Sequence, residues 1–171
     1  MDSVDLHMLL EKHHQESFGW ALNCCGHDPT EAENVLQTVY LKILEQNARF
    51  EERSSFKTWL FSVIRITAAY EQRRNFLRKW RLLPIEESRL QAKQDDADES
   101  IFKSQRTRFL QKALQTFPKR QREVMHLVFY HDMTLEESSE VLGISIGSTR
   151  THYARGKKRL RRWIEASKEF L

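Results

Sequence analysis

Between Leu6 and Cys25 the apolar positions Leu6, Leu9, Leu10, Phe18, Ala21, Leu22 and Cys25 keep a helical spacing, weakened by polar residues in the middle, and predict one helix. The pattern sharpens at Ala32, Val35, Leu36, Val39, Tyr40, Ile43 and Leu44, the stripe of an amphipathic helix. Asp28-Pro29-Thr30-Glu31 marks its start. Asp28 can cap, Pro29 fits the first helical position, where no N–H is needed, and Glu31 stands where a capping box wants it. The polar stretch 47–55 breaks the helix. Another begins near Ser54 or Ser55, carries Phe56, Trp59, Leu60, Val63, Ile64 and Ala68, and turns basic at Arg73, Arg74, Arg78, Lys79 and Arg81 before Pro84.

Residues 84–100 lack a convincing period and are rich in Gln, Asp and Glu, which predicts a flexible acidic linker. A new helix follows through Phe102, Phe109, Leu110, Ala113, Leu114 and Phe117 and stops at Pro118. The next covers 119–131, with Val124, Met125, Leu127 and Val128 inside. Thr134 and Glu137 then form a capping box opening a short helix that ends at Gly143, a residue suited to a left-handed C-terminal cap. Ser145 can cap the helix after it. There Ile146, Thr149, Tyr153, Gly156, Leu160, Trp163 and Ile164 commit one face to packing, so Arg150, Thr151, Ala154, Arg155, Lys158, Arg159 and Arg162 must point outward. Helix, short turn and a second helix with a basic outer face is the geometry of a DNA-reading helix-turn-helix.

Composition supports an all-α fold. Five glycines and three prolines in 171 residues leave too few turn signals for a sandwich or barrel. Charge divides the chain further. Residues 1–83 hold 11 basic and 11 acidic side chains, residues 84–104 hold 3 and 6, and residues 105–171 hold 14 and 7. We therefore expect two small helical domains, 1–83 and 105–171, joined by the 84–104 linker, the second facing a polyanion. Cys24 and Cys25 are adjacent and give neither a disulfide framework nor zinc spacing. The acidic N-terminus does not resemble a signal peptide, and the longest apolar run, Leu127 to Tyr130, is far too short to span a membrane. Together these features describe a soluble protein of a reducing compartment.

Arg150 and Arg155 have the reach and chemistry to take guanine edges bidentately, while Thr151 and Ala154 suit thymine methyls. The run Lys157 to Arg162 suits phosphates, which position a protein on DNA without reading sequence. No nucleophile–base pair or phosphate-binding glycine loop is visible. His13, His14, Cys24, Cys25 and His27 assemble into a metal site only on paper. Buried thiols and surface imidazoles are the simpler account, so we expect no metal, no cofactor and no catalysis.

Two separate stretches carry a family resemblance. Gly147-Ser148-Thr149-Arg150-Thr151-His152-Tyr153-Ala154-Arg155-Gly156-Lys157-Lys158-Arg159-Leu160, preceded by Pro118-Lys119-Arg120-Gln121-Arg122-Glu123-Val124, resembles the C-terminal domain of bacterial sigma factors of the extracytoplasmic-function group. Ala32-Glu33-Asn34-Val35-Leu36-Gln37-Thr38-Val39-Tyr40-Leu41 resembles the helix by which that family binds the polymerase clamp. Phe56-Lys57-Thr58-Trp59-Leu60, with Arg65 and Arg73-Arg74, resembles its promoter-melting region. Asn34, Ile66, Tyr70, Ser139 and Gly156 depart from the family pattern, which has Asp, Asn, Asp, Ala and Ala there.

The resemblance implies a cycle of binding. Glu33, Asn34, Gln37 and Leu41 would contact core RNA polymerase. Ser148, Arg150, Thr151, Ala154, Arg155 and Lys158 would read the upstream (−35) promoter element. Phe50, Arg53, Lys57, Arg65, Arg73 and Arg74 would take the downstream (−10) element as it opens, where basic and aromatic groups suit single-strand capture. Phe56 and Trp59 fall on the apolar stripe and are expected in the core. The group is typically held by an anti-sigma factor, expected to be membrane-anchored, and works in the cytoplasm. A linker of about 20 residues reaches up to roughly 65 Å extended, enough for elements separated by more than one ~34–36 Å turn of DNA. As a free coil it averages nearer 25 Å, so the two domains can also touch. A stand-alone helix-turn-helix repressor and a polymerase-binding adaptor are the alternative functions.

Overall fold

A computed structural model describes residues 3–82 and 105–168, and among these residues the chain is helical with no strand. The first half holds α1 (Ser3–Lys12), α2 (His14–Cys24), α3 (Pro29–Leu44) and α4 (Phe56–Leu82). The second holds α5 (Gln105–Gln115), α6 (Lys119–His131), α7 (Leu135–Leu142) and α8 (Ile146–Lys168). The expected linker 84–104, including Phe102, lies outside the described residues.

The single helix expected from Leu6 to Cys25 is two. His13 leaves the helical backbone (φ −98°, ψ 5°) and α2 starts after it. Backbone bonds from the His13 N–H to Leu9 O (3.2 Å) and from the Ser17 N–H to His13 O (2.9 Å) bridge the break, so apolar spacing continues across a kink that no Gly or Pro announces.

The punctuation of α3 is half what a capping box requires. Asp28 Oδ1 accepts from the Glu31 N–H (3.1 Å), while the Asp28 N–H turns back to Cys25 O (3.3 Å). Ser55 Oγ accepts from the Thr58 N–H (3.1 Å) and starts α4, whose 27 residues span about 40 Å. α7 has the full capping box: Thr134 Oγ1 accepts from the Glu137 N–H, and Glu137 Oε2 accepts from the Thr134 N–H. Gly143 ends α7 at φ +61°, where only glycine avoids Cβ strain.

Trp20 centres the first half. It is fully buried, donates through Nε1 to Phe61 O (3.0 Å) and stacks on the Phe61 ring, with Val35, Leu36 and Val39 of α3 and Leu60 and Ile64 of α4 around it in one core. Each such side chain contributes roughly 1.5–3 kcal/mol by leaving water. That core does not stop at the first half. Val124, Leu127, Met133, Val141 and Leu142 belong to the same buried cluster, with α6 packed on α2 and α7 on α4. A smaller cluster of Leu114, Phe117 and Met125 ties α5 and α6 to α8.

Candidate functional site

Ser145 Oγ accepts from the Ser148 N–H (3.1 Å) and sets the start of α8. Thr149, fully buried, turns its hydroxyl back to Ser145 O (3.1 Å), which fixes the rotation of the helix about its axis. That rotation leaves Ser148, Arg150, Thr151, Ala154, Arg155 and Lys158 all exposed on the outer side. Arg150 donates to Glu136 of α7 over 3.3 Å, a solvent-exposed pair that costs little to break. Thr151 donates to Gly147 O (3.0 Å). Beyond them, Arg155, Lys158, Arg159 and Arg162 line an open groove of about 600 Å³ with Trp163 and Gln121. Arg159 lies over the Phe117 ring and Lys157 over the Tyr153 ring. Ile164, expected to pack, is exposed instead, whereas the adjoining Trp163 meets Phe109 of α5 edge-on (ring centroids 4.2 Å).

On α3 the structure brings Glu33, Asn34, Gln37 and Leu41 to one exposed face, opposite buried Val35, Leu36 and Val39. Asn34, Gln37 and Leu41 open onto a groove of about 400 Å³ between α3 and α4, whose far wall carries Gln72, Arg74 and Arg78. Leu41 is 57% exposed, a large apolar side chain without a cover inside the protein.

The six residues expected at the downstream element are not brought together. Phe50 is half-buried, edge-on to Phe56 (ring centroids 5.4 Å) and tilted against Trp59 (5.3 Å), so its ring is spent on the aromatic cluster that anchors the loop. Arg53 is exposed and paired with Glu51 at 2.9 Å. Arg73 is exposed, and Arg74 pairs with Glu71 at 2.7 Å. Sixteen residues along α4 from Lys57, Arg73 is turned about 160° around the helix and faces another way.

Lys57 and Arg65 face the second half. Lys57 Nζ donates to Glu16 Oε1 of α2 (2.7 Å) and to the backbone oxygen of His131 at the end of α6 (2.8 Å). Arg65 Nε stands 3.9 Å from Glu123 Oε1, and Glu123 is also held by Arg120 at 3.0 Å. The sequence offered no signal for Glu16, Glu123 or His131, whose importance comes from contacts between segments far apart in the chain. Burial alone would raise the Glu16 carboxyl, but hydrogen bonds and charge from Lys57 and His13 outweigh it and hold the group below its usual range. Burial lowers His131 to about 4, with the Lys57 charge adding to the effect and Glu16 and Asp132 opposing it. Burial pushes the Cys25 thiol up to about 12 and raises Cys24 further, so neither resembles a reactive or metal-binding thiolate. Among the described residues no group of three or more His, Cys, Asp or Glu is placed to hold a metal, and no helix is long and apolar enough to cross a membrane.

This arrangement matches known proteins in order. Residues 9–80 match the model of sigma-70 region 2 and residues 113–162 that of sigma-70 region 4. RNA polymerase sigma factor CarQ of Myxococcus xanthus is 31% identical over 136 residues, 76% of this chain and 72% of that protein. The ECF RNA polymerase sigma factor SigX of Bacillus subtilis is 29% identical over 167 residues, 96% of this chain and 86% of that one. The chain belongs to the extracytoplasmic-function sigma factors. Its fold agrees with solved structures. The sigma factor RpoE, in a co-crystal with the anti-sigma factor NepR from Bartonella quintana, superposes with a TM-score of 0.73 at 20% identity, covering 94% of this chain and 97% of that one. CnrH, in complex with the cytosolic domain of CnrY, gives 0.63 at 16%, covering 96% and 90%.

Within this sigma factor the departures from the family pattern have different physical settings. Ile66 and Tyr70 are 64% and 60% exposed on α4 and add nothing to the core. Ser139 donates to Glu136 O (2.6 Å), a bond within its own helix. Gly156 is buried where α8 meets α6.

Proposed function

We propose that this sigma factor binds core RNA polymerase through Glu33, Asn34, Gln37 and Leu41 on α3. Its helix-turn-helix reads the upstream element with Ser148, Arg150, Thr151, Ala154, Arg155 and Lys158 on α8. The observation that carries this reading is the outer face of α8, where all six of those side chains are exposed on a helix whose rotation is fixed from below by Thr149. The exposed loop before α4, with Arg53, and the basic end of α4, with Arg73 and Arg74, then meet the downstream element, joined by Lys57 and Arg65 once these are free. The protein makes and breaks no covalent bond. Its output is where polymerase starts, in the cytoplasm.

An inhibitory partner fits the same reading. One structural neighbour is a sigma factor solved with a bound anti-sigma factor and another was solved with a partner's cytosolic domain, and we assign this chain an anti-sigma factor, membrane-anchored, that competes for its polymerase face.

The test is binding to purified core polymerase, with Leu41→Asp as the probe of the α3 face. Nanomolar binding weakened by at least tenfold in L41D supports the assignment. Equal binding by both proteins moves the contact elsewhere, and a dimer that occupies a palindromic operator while ignoring core polymerase makes the chain a repressor.

A further inference from the structure

The groove beside α8 holds more positive charge than the protein neutralises. Arg155, Lys158, Arg159 and Arg162 line it, all four exposed, and no acidic residue shares the lining. Among the described residues none of the four makes an ion pair, whereas Arg53, Arg74, Arg120 and Arg150 each do. Arg159 is steadied instead by the Phe117 ring, 5.8 Å away. The wall from α6 adds to the field. Pro118 starts that helix with no side-chain cap, and the first turn carries Lys119 and Arg120 and no acid, against the usual preference for negative charge at a helix N-terminus. Like charges crowded along one groove repel, and a bound polyanion relieves the repulsion. Two other residues of the lining answer a different chemistry. Gln121 Oε1 is shut off from solvent with no hydrogen-bond partner, an acceptor in want of a donor. Trp163, braced by Phe109, adds an aromatic wall.

We propose that this groove binds a nucleoside oligophosphate, with the phosphate chain on Arg155, Lys158, Arg159 and Arg162 and an N–H or O–H of the nucleoside donating to Gln121. Arginine forks take phosphate oxygens bidentately, and a chain of phosphates carries the concentrated charge that clustered cations match. A volume of about 600 Å³ is that of a small-molecule site. A DNA backbone accounts for the cations but leaves Gln121 unanswered, because its phosphates and linked deoxyriboses carry no donor. A free nucleotide brings sugar hydroxyls and the N–H groups of its base. Arg155 and Lys158 belong both to the groove and to the reading face of α8, so a nucleotide bound there takes two cations from the upstream element. That competition rests on the function proposed above, whereas the site itself rests on the groove alone. Its consequence is a sigma factor whose grip on the upstream element falls as the nucleotide rises.

The test is calorimetric titration of the full chain with ATP, GTP and inorganic triphosphate, together with displacement of a labelled duplex carrying the mapped upstream element. The site requires one equivalent of ATP or GTP to bind roughly tenfold tighter than inorganic triphosphate, since only the nucleoside offers Gln121 a donor. Gln121→Leu, a change at a residue placed on neither DNA nor polymerase, should bring the nucleotide down by that same factor and leave triphosphate and duplex binding as they were. In the wild type the nucleotide must displace the duplex at concentrations where triphosphate does not. Equal affinity for nucleotide and triphosphate, or nucleotide binding untouched in Q121L, overturns the proposal and leaves a general phosphate surface. Nucleotide bound without displacing the duplex overturns it by placing the ligand elsewhere. A chain that binds nucleotide through Gln121 but no upstream duplex keeps the site and overturns the promoter reading instead. Should Q121L lose helicity, the wild-type comparison of nucleotide with triphosphate decides.

Discussion

Gly156 of α8 lies so close to Met125 of α6 that a Cβ built on it would stand 2.7 Å from Cγ and 2.8 Å from Sδ. Both residues are buried, and Met125 is fully enclosed. The glycine thus sets how closely the DNA-reading helix packs on the helix beneath it. Glycine inside a helix costs about 1 kcal/mol relative to alanine, and overpacking a core costs ~1–3 kcal/mol. Because Cγ is near the stem of a fully buried side chain, the clash wins. Gly156→Ala is expected to lower stability by about 1 kcal/mol in urea unfolding. In a Met125→Ala background, with the obstructing atoms gone, the same change should be neutral or stabilising. A stabilising G156A in the wild-type background would show that α8 can move away freely.

Thr134→Ala removes the hydroxyl that caps α7, the first helix of the DNA-reading pair, and leaves the Glu137 N–H without its acceptor, while the Glu137 carboxylate keeps the Thr134 N–H. The expected loss is about 1 kcal/mol. Because α7 also packs on α4, the loss should be global, with thermal unfolding shifting as a single transition. A frayed α7 with unchanged melting of the rest, seen by hydrogen exchange, would contradict a shared core.

Acid should weaken the folded protein through His131. The groups facing its ring are Lys57 from α4, Glu16 from α2, His126 from α6 and the adjoining Asp132. Lowered from 6.5 to about 4, it stays neutral in the folded chain while the exposed ring takes a proton. Stability is thus unaffected above pH 6.5, falls as pH drops toward about 4 and then levels off. Glu16 acts lower down: its depressed carboxyl stabilises above 4.5 and loses that share only as pH falls through its folded value. Between pH 7.5 and 5 the His131 effect is about 2 kcal/mol, using 1.36 kcal/mol per unit. Urea unfolding at the two pH values measures it, and His131→Leu should flatten the difference. An equal acid loss in H131L would assign it to other groups.

Local punctuation and periodicity made most of the fold legible. Asp28-Pro29 placed the start of α3, and Thr134 with Glu137 placed α7, because capping chemistry is decided within four residues. The outward rotation of Arg150 and Arg155 followed from the opposite apolar face of α8. What stayed hidden depends on distance along the chain. The kink at His13 lacks a breaking residue. Lys57 read as a free cation because its partners, Glu16 and the His131 carbonyl, lie 41 and 74 residues away. A backbone acceptor leaves no trace in residue type at all. Phe50 read as a stacking surface for a different reason: Phe56 and Trp59 are near it in the chain, but an aperiodic loop does not show where its rings point.

The most direct measurement of the central claim is transcription from genomic DNA by core polymerase reconstituted with this chain, with start sites mapped. Initiation at discrete sites that share one upstream and one downstream element is the expected result. Arg150→Ala and Arg155→Ala should each relax a single upstream base position at a cost of ~1–3 kcal/mol. Random initiation indistinguishable from core polymerase alone would contradict the account.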